Sequence, residues 1–132
     1  MNLFFYSTET GGTGGQLQRL VEALVPEEKV EVYRTIGSLS ERLYLPRNST
    51  SITVLYARSK SELSDIVSLG HLFNDVRVIL ILLDRKDETI ALGHRLRPRF
   101  LTFINSDLTR VSEVLRKMLG HDDDILEVLK RR

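Results

Sequence analysis

The hydrophobic positions of this chain alternate between two periods along its length. The longest apolar run is Val76-Arg77-Val78-Ile79-Leu80-Ile81-Leu82-Leu83-Asp84. It is β-branched early and stops at a charge, which suits a central strand covered on both faces. Residues 3–6, 52–56 and 100–104 are shorter apolar runs of the same kind. In 29–34, Val30 and Val32 alternate with Glu31, the pattern of an edge strand with one side toward water.

Between these runs the spacing becomes helical. Leu17, Leu20, Val21, Leu24 and Val25 fall at i, i+3, i+4, i+7 and i+8 and make one apolar face, closed by Pro26. This spacing predicts a first helix from about Gln16, with the glycine-dense stretch 7–15 as a loop before it. A short second helix is predicted over 38–45, with Ser38 and Glu41 at capping-box spacing and Pro46 near its end. A third follows the box Ser59-Lys60-Ser61-Glu62 and carries Leu63, Ile66 and Val67 toward the sheet. The charged run 85–88 opens a short or irregular fourth helix. Asn105-Ser106-Asp107 starts a fifth, with Leu108, Val111, Val114, Leu115, Met118 and Leu119 inward and Gly120 as its C-cap.

Strand and helix patterns alternating in this way predict an α/β fold, a three-layer α/β/α sandwich around a five-stranded parallel sheet. Of the common doubly wound orders, 2-1-3-4-5 places the most apolar segments at the centre. Phe4, Val21, Leu24, Val54, Val78, Leu80, Phe100, Leu101, Val111 and Leu115 are expected in the core. One domain is expected over 1–120, with a short helical tail over 121–132.

The 132 residues suit one domain, and 42% hydrophobic residues are enough for its core. Lys and Arg number 19 against 18 Asp and Glu, a net charge of +1 that gives no general pull toward nucleic acid or membrane. Cysteine is absent, which removes disulfides, thiolate nucleophiles and cysteine metal sites. The first residues lack the pattern of a signal peptide and the central run is too short to span a bilayer, so the expected location is cytoplasmic.

Candidate chemistry is sparse. His71, His94 and His121 sit on different elements without ligand spacing, and neither a nucleophile elbow nor a P-loop occurs. Asp84 is an acid at the end of a central strand, read either as a cap for the next helix or as a lone catalytic carboxylate. Arg85, Lys86, His94, Arg95, Arg97 and Arg99 make a basic cluster near the fourth helix, either solvated surface or a seat for phosphate or an acidic partner. Aromatic interleaving for single-stranded nucleic acid is lacking.

In element order and lengths, residues 1–120 resemble the receiver domain of response regulators, most closely in 99–104 and the helix that follows. The resemblance implies a flavodoxin-like, CheY-like fold and four chemical positions. Where receivers have acids after strand one, this chain has Ser7 and Thr8. Near the phosphoacceptor position lie Tyr56-Ala57-Arg58, and after strand four come Leu83-Asp84. The receiver lysine falls near Phe103. These departures imply a phosphorylation-independent domain that keeps the scaffold and the interaction surface. Association is expected with a protein partner or as a homodimer, through Arg95, Leu96, Arg97 and Arg110, with Leu96 or Ile90 as the central apolar contact and Glu113, Asp107 or Glu88 as paired acids. Neither nucleic acid nor membrane is an expected partner.

The first loop, Thr8-Glu9-Thr10-Gly11-Gly12-Thr13, resembles the Thr-x-Thr-Gly-x-Thr phosphate loop of flavodoxins. That resemblance implies an anion site, with FMN as the alternative cofactor, held by Thr8, Thr10, Gly11, Gly12 and Thr13. Backbone N–H groups and a helix N-terminus supply the physics. The loops that would frame the flavin ring, 57–61 and 84–88, contain no aromatic residue. The alternative for this loop is a connector without a ligand.

Overall fold

The computed structural model describes residues 1–46, 50–105 and 108–130, with 121–130 described by backbone alone. Strands β1 (Asn2–Tyr6), β2 (Val30–Tyr33), β3 (Ser51–Tyr56), β4 (Val76–Leu82) and β5 (Phe100–Phe103) form one sheet. Its order is β2-β1-β3-β4-β5, and every pairing is parallel, as expected. Helices α1 (Gly12–Leu24), α2 (Ile36–Tyr44), α3 (Lys60–Ser68), α4 (Asp87–His94) and α5 (Thr109–Lys130) connect and follow the strands. Single 3-10 turns lie at Glu27–Lys29 and Gly70–Phe73.

The strand period sorts side chains into two cores. Phe4, Tyr6, Leu55, Val78, Leu80 and Leu82 face α2, α3 and α4. Leu3, Phe5, Ile52, Val54, Ile79 and Ile81 face α1 and α5, where Leu17, Val21, Val111 and Leu115 are fully buried. Each such side chain contributes about 1.5–3 kcal/mol by leaving water. Leu24, Phe100 and Leu101, expected as core, are half-buried instead. β5 is an edge strand with only one neighbour, and Leu24 lies in the last turn of α1.

Three local expectations are corrected. α1 starts at Gly12 rather than near Gln16, so Gly12, Gly14 and Gly15 belong to the helix rather than to the loop. The cap of α2 is Thr35, whose Oγ1 accepts from the Ser38 N–H at 3.0 Å, rather than Ser38 itself. α5 runs through Gly120 without stopping, so that glycine is no C-cap. The Ser59 cap of α3 stands as read, with Oγ accepting from the Glu62 N–H at 3.1 Å. Ser106 and Asp107 of the expected α5 start lie outside the described residues.

α4 has few apolar anchors yet packs closely on the sheet. A Cβ on Gly93 would stand 3.1 Å from Leu80 and 3.3 Å from Leu82 and Leu101. Leu96, just beyond the helix, is 5% exposed and closes the core below it. The turn between α4 and β5 carries Arg97 at φ 53, the one non-glycine residue with positive φ among the described residues. For an L side chain that conformation costs about 1–2 kcal/mol.

Candidate functional site

The C-terminal edge of the sheet, where ligands of this architecture gather, is closed by the chain's own charges. β1 ends at Tyr6, and Ser7 behind it is fully buried. Ser7 Oγ donates to the Glu9 carbonyl and accepts from the Glu9 N–H, both at 3.0 Å. This folds the loop back on itself. Glu9 then reaches into the start of α1, where Oε1 accepts from the Gly14 N–H at 2.8 Å. The carboxylate thus sits where the helix dipole favours negative charge. Arg58, just past β3, meets the other oxygen, with Nε 3.3 Å from Oε2. Arg34, just past β2, donates to the carbonyls of Ser7 and Glu9 at 3.1 and 3.0 Å and to Gln18 Oε1.

The glycines make this possible. Gly12 takes φ 55, and a Cβ there would stand 2.8 Å from Glu9 Oε1. At Gly14 a Cβ would stand 2.6 Å from Ser7 Oγ and 2.7 Å from the Glu9 carbonyl oxygen. Of the residues read as an anion or FMN loop, Thr8, Thr10, Gly11 and Gly12 are exposed, and Thr13 is half-buried in the first turn of α1. The anion at that helix terminus is Glu9, from within the same loop. Sequence reading passed over Glu9 as a ligand for its own helix. Its position two residues before the glycine pair was the available signal.

The other receiver-like positions lie along the same edge. Ala57 is buried, and its N–H donates to the Ile81 carbonyl at 3.0 Å. Asp84 Oδ1 accepts from the Lys86 N–H at 2.9 Å, which holds its carboxyl below the ordinary range. Asp84 therefore shapes the turn into α4, although the N-cap position belongs to Lys86. Glu9, at the same edge, is engaged with Arg58. Arg85 stacks over the Phe103 ring at 4.2 Å. Among the described residues no three His, Asp or Glu side chains converge as metal ligands.

One buried polar pair lies just beneath this edge. Tyr6 Oη and Glu62 Oε1 are buried without a hydrogen-bond partner of good geometry, yet they interact electrostatically. Burial pushes the Tyr6 hydroxyl well above its ordinary value, and the charge of Glu62 adds to this. Burial likewise raises the Glu62 carboxyl.

The residues read as an interaction surface are not brought together. Arg95 and Arg97 lie at the N-terminal edge of the sheet, between α4 and β5, whereas Arg110 lies in the first turn of α5 beyond the opposite end of β5. Leu96 is turned into the core and offers no surface contact, and Ile90 is half-buried against the same core. Glu113 pairs with Arg110 at 3.7 Å and Glu88 with Lys60 at 2.9 Å, within the chain. Asp107 lies outside the described residues. Around Arg95 and Arg97 the structure forms a cavity of about 430 Å³, which sequence reading did not anticipate. His71, Arg99 and Asn74 also line it, and Phe73 and Leu96 form its floor. Beside it the His71 ring meets Tyr44 edge-on, with centroids 6.5 Å apart.

No protein-family model matches the chain, and no curated protein does. Solved structures do. A putative pilus assembly-related protein from Burkholderia pseudomallei superposes with a TM-score of 0.63 at 18% identity, covering 89% of this chain and 87% of that one. A putative pilus assembly protein (cpaE) from Burkholderia thailandensis gives 0.64 at 17% identity, over 91% and 98%. A response regulator from Burkholderia pseudomallei, solved with a phosphorylated aspartic acid, calcium ion and citrate, gives 0.62 at 12% identity, over 96% and 74%. Together with the strand order, these likenesses establish that the chain has the flavodoxin-like receiver fold.

Proposed function

We propose that this chain is a phosphorylation-independent, receiver-like protein-interaction domain of bacterial signalling or surface-structure assembly. The observation that carries this reading is the Glu9–Arg58 pair. At the end of β3, where a receiver presents its phosphoacceptor carboxylate, this chain presents a cation already matched to an anion of its own first loop. At the end of β5, where a receiver presents a lysine, Phe103 lies under Arg85. A phosphoryl group would find neither an acceptor nor a free stabilising charge there. The scaffold remains, and association with another protein or with a second copy is the use that remains for it. The pilus-assembly names of two structural relatives agree with an assembly role.

The experiment has two arms. Incubation with acetyl phosphate and magnesium should leave the intact mass unchanged, and a stoichiometric acid-labile adduct would refute phosphorylation independence. Sedimentation velocity over rising concentration should reveal self-association that Arg95→Glu with Arg97→Glu removes. A monomer at every concentration removes the homodimer and leaves a heterologous partner as the form of the proposal.

A further inference from the structure

We infer that the cavity at the N-terminal edge of the sheet is a binding site for a compact, multiply charged anion of the diphosphate type. It goes beyond the association proposed above and lies at the edge of the sheet opposite the receiver-like positions.

Arg95, Arg97 and Arg99 come from one short segment at alternate positions and line one concave space, joined by His71 from the neighbouring 3-10 turn. Among the described residues no carboxylate lines that space, and none of the three arginines has a carboxylate partner. Like charges around one cavity repel one another, and a bound anion relieves that repulsion. Guanidinium groups present forked donors that match phosphate oxygens in pairs. The volume of about 430 Å³ falls in the range of small-ligand sites, about 300–1,000 Å³.

Arg97 supplies a second, independent observation. Its left-handed backbone is one that glycine adopts without strain, yet the position carries a long cation. The Arg97 N–H donates to the His94 carbonyl at 3.0 Å, so the backbone alone accounts for the turn. Among the described residues no hydrogen bond or ion pair engages the side chain, and Arg97 lines the cavity. Strain held at a position that a simpler residue would relieve points to a use for the side chain. The cavity is concave and three cationic residues line it, which fits a compact ligand better than an extended acidic segment of a partner protein.

The test is calorimetric titration of the full chain with inorganic pyrophosphate at low salt, against orthophosphate and hexaglutamate. Saturable one-to-one binding of pyrophosphate is expected, at least about tenfold tighter than either control, because only adjacent phosphates engage several guanidiniums at once. Arg97→Gly should weaken pyrophosphate at least about tenfold while leaving the melting temperature unchanged or slightly raised, since glycine suits the turn. Arg110→Ala, far from the cavity, should bind as the unaltered chain does. Absence of saturable binding overturns the inference, as does binding indifferent to Arg97→Gly. Hexaglutamate binding as tightly as pyrophosphate also overturns it, and reassigns the arginines to an acidic protein segment. None of these outcomes depends on whether the chain accepts phosphate at an aspartate.

Discussion

A single methyl group at Gly14 is expected to cost this fold more than most surface charges contribute. In Gly14→Ala the added Cβ would stand 2.6 Å from Ser7 Oγ, 2.7 Å from the Glu9 carbonyl oxygen and 2.9 Å from Glu9 Cβ. None of these atoms is the free end of a flexible side chain. Ser7 Oγ is fixed by two hydrogen bonds to Glu9, and the Glu9 carbonyl is held by Arg34. The loop must move away from α1, and the Glu9 contact with the Gly14 N–H lengthens with it. Overpacking of this kind costs about 1–3 kcal/mol, and a weakened charge-assisted hydrogen bond adds to that, so about 2–3 kcal/mol is expected. For a chain of this size that is a fall in melting temperature of roughly 6–12 °C. Gly37→Ala is the internal control. Gly37 lies in the first turn of α2, and a Cβ added there would meet nothing within 4 Å, so alanine should stabilise by about 0.5–1 kcal/mol through helix propensity. Urea unfolding of both variants reads the two signs directly. A Gly14→Ala cost below about 0.5 kcal/mol would refute the close packing of loop on helix, because no relaxation that cheap clears three contacts under 3 Å.

Glu9→Gln should cost about 1 kcal/mol in urea unfolding, through loss of the charge at the start of α1, whereas Arg58→Ala should cost about half of that or less because its side chain is half exposed. The reverse ranking would mean that the ion pair rather than the helix terminus holds Glu9. Burial raises the folded-state carboxyl of Glu62, so its contribution to stability is complete below the ordinary carboxyl value and is lost as pH rises through the raised one. Glu62→Gln should therefore be more stable than the unaltered chain near about pH 8, with the advantage vanishing toward about pH 4, in thermal melts across that range. A pH-independent difference would refute the burial argument. FMN titrated with the chain should keep its fluorescence, since Glu9 holds the helix N–H that a phosphate would need. Micromolar quenching, lost on Gly11→Ala with Thr13→Ala, would establish the flavodoxin-like alternative.

The sheet was readable because its strands differ in kind. A run apolar nearly throughout, such as 76–82, belongs in the interior of a parallel sheet, and the Glu31 alternation belongs at its edge. Helix interiors were readable from their apolar spacing. Helix starts were harder, because the same residue types serve several roles. Ser38 and Glu41 have capping spacing, but Thr35 three residues earlier has the same chemistry and takes the cap. The glycine run was read for flexibility, whereas Gly12 and Gly14 are required by closeness to Ser7 and Glu9, a distance that no local pattern carries. Arg34 and Arg58 follow different strands, and only the sheet order places them beside one loop. The arginine cavity was half visible: the basic cluster stood out in sequence, but its concavity depends on the 3-10 turn 70–73, far away along the chain. Leu96, read as a surface contact between two arginines, goes inward because the core beneath α4 needs an apolar floor.

The division of the interior by the sheet makes sequence neighbours energetic strangers. Ile79 and Leu80 share a peptide bond, but one meets α1 and α5 while the other meets the opposite helices. Volume lost at Leu80 can be recovered at Gly93 or Leu101, both on its own side, and cannot be recovered at Val111 or Leu115. Paired substitutions within one face are therefore coupled, and pairs across the sheet combine nearly additively. The two faces can drift separately over evolutionary time, each repacking against its own helices. The backbone of β1, β3 and β4 is the partition they share. A chain built this way can replace the chemistry and the packing on one flank of the sheet while the other flank keeps the fold in place.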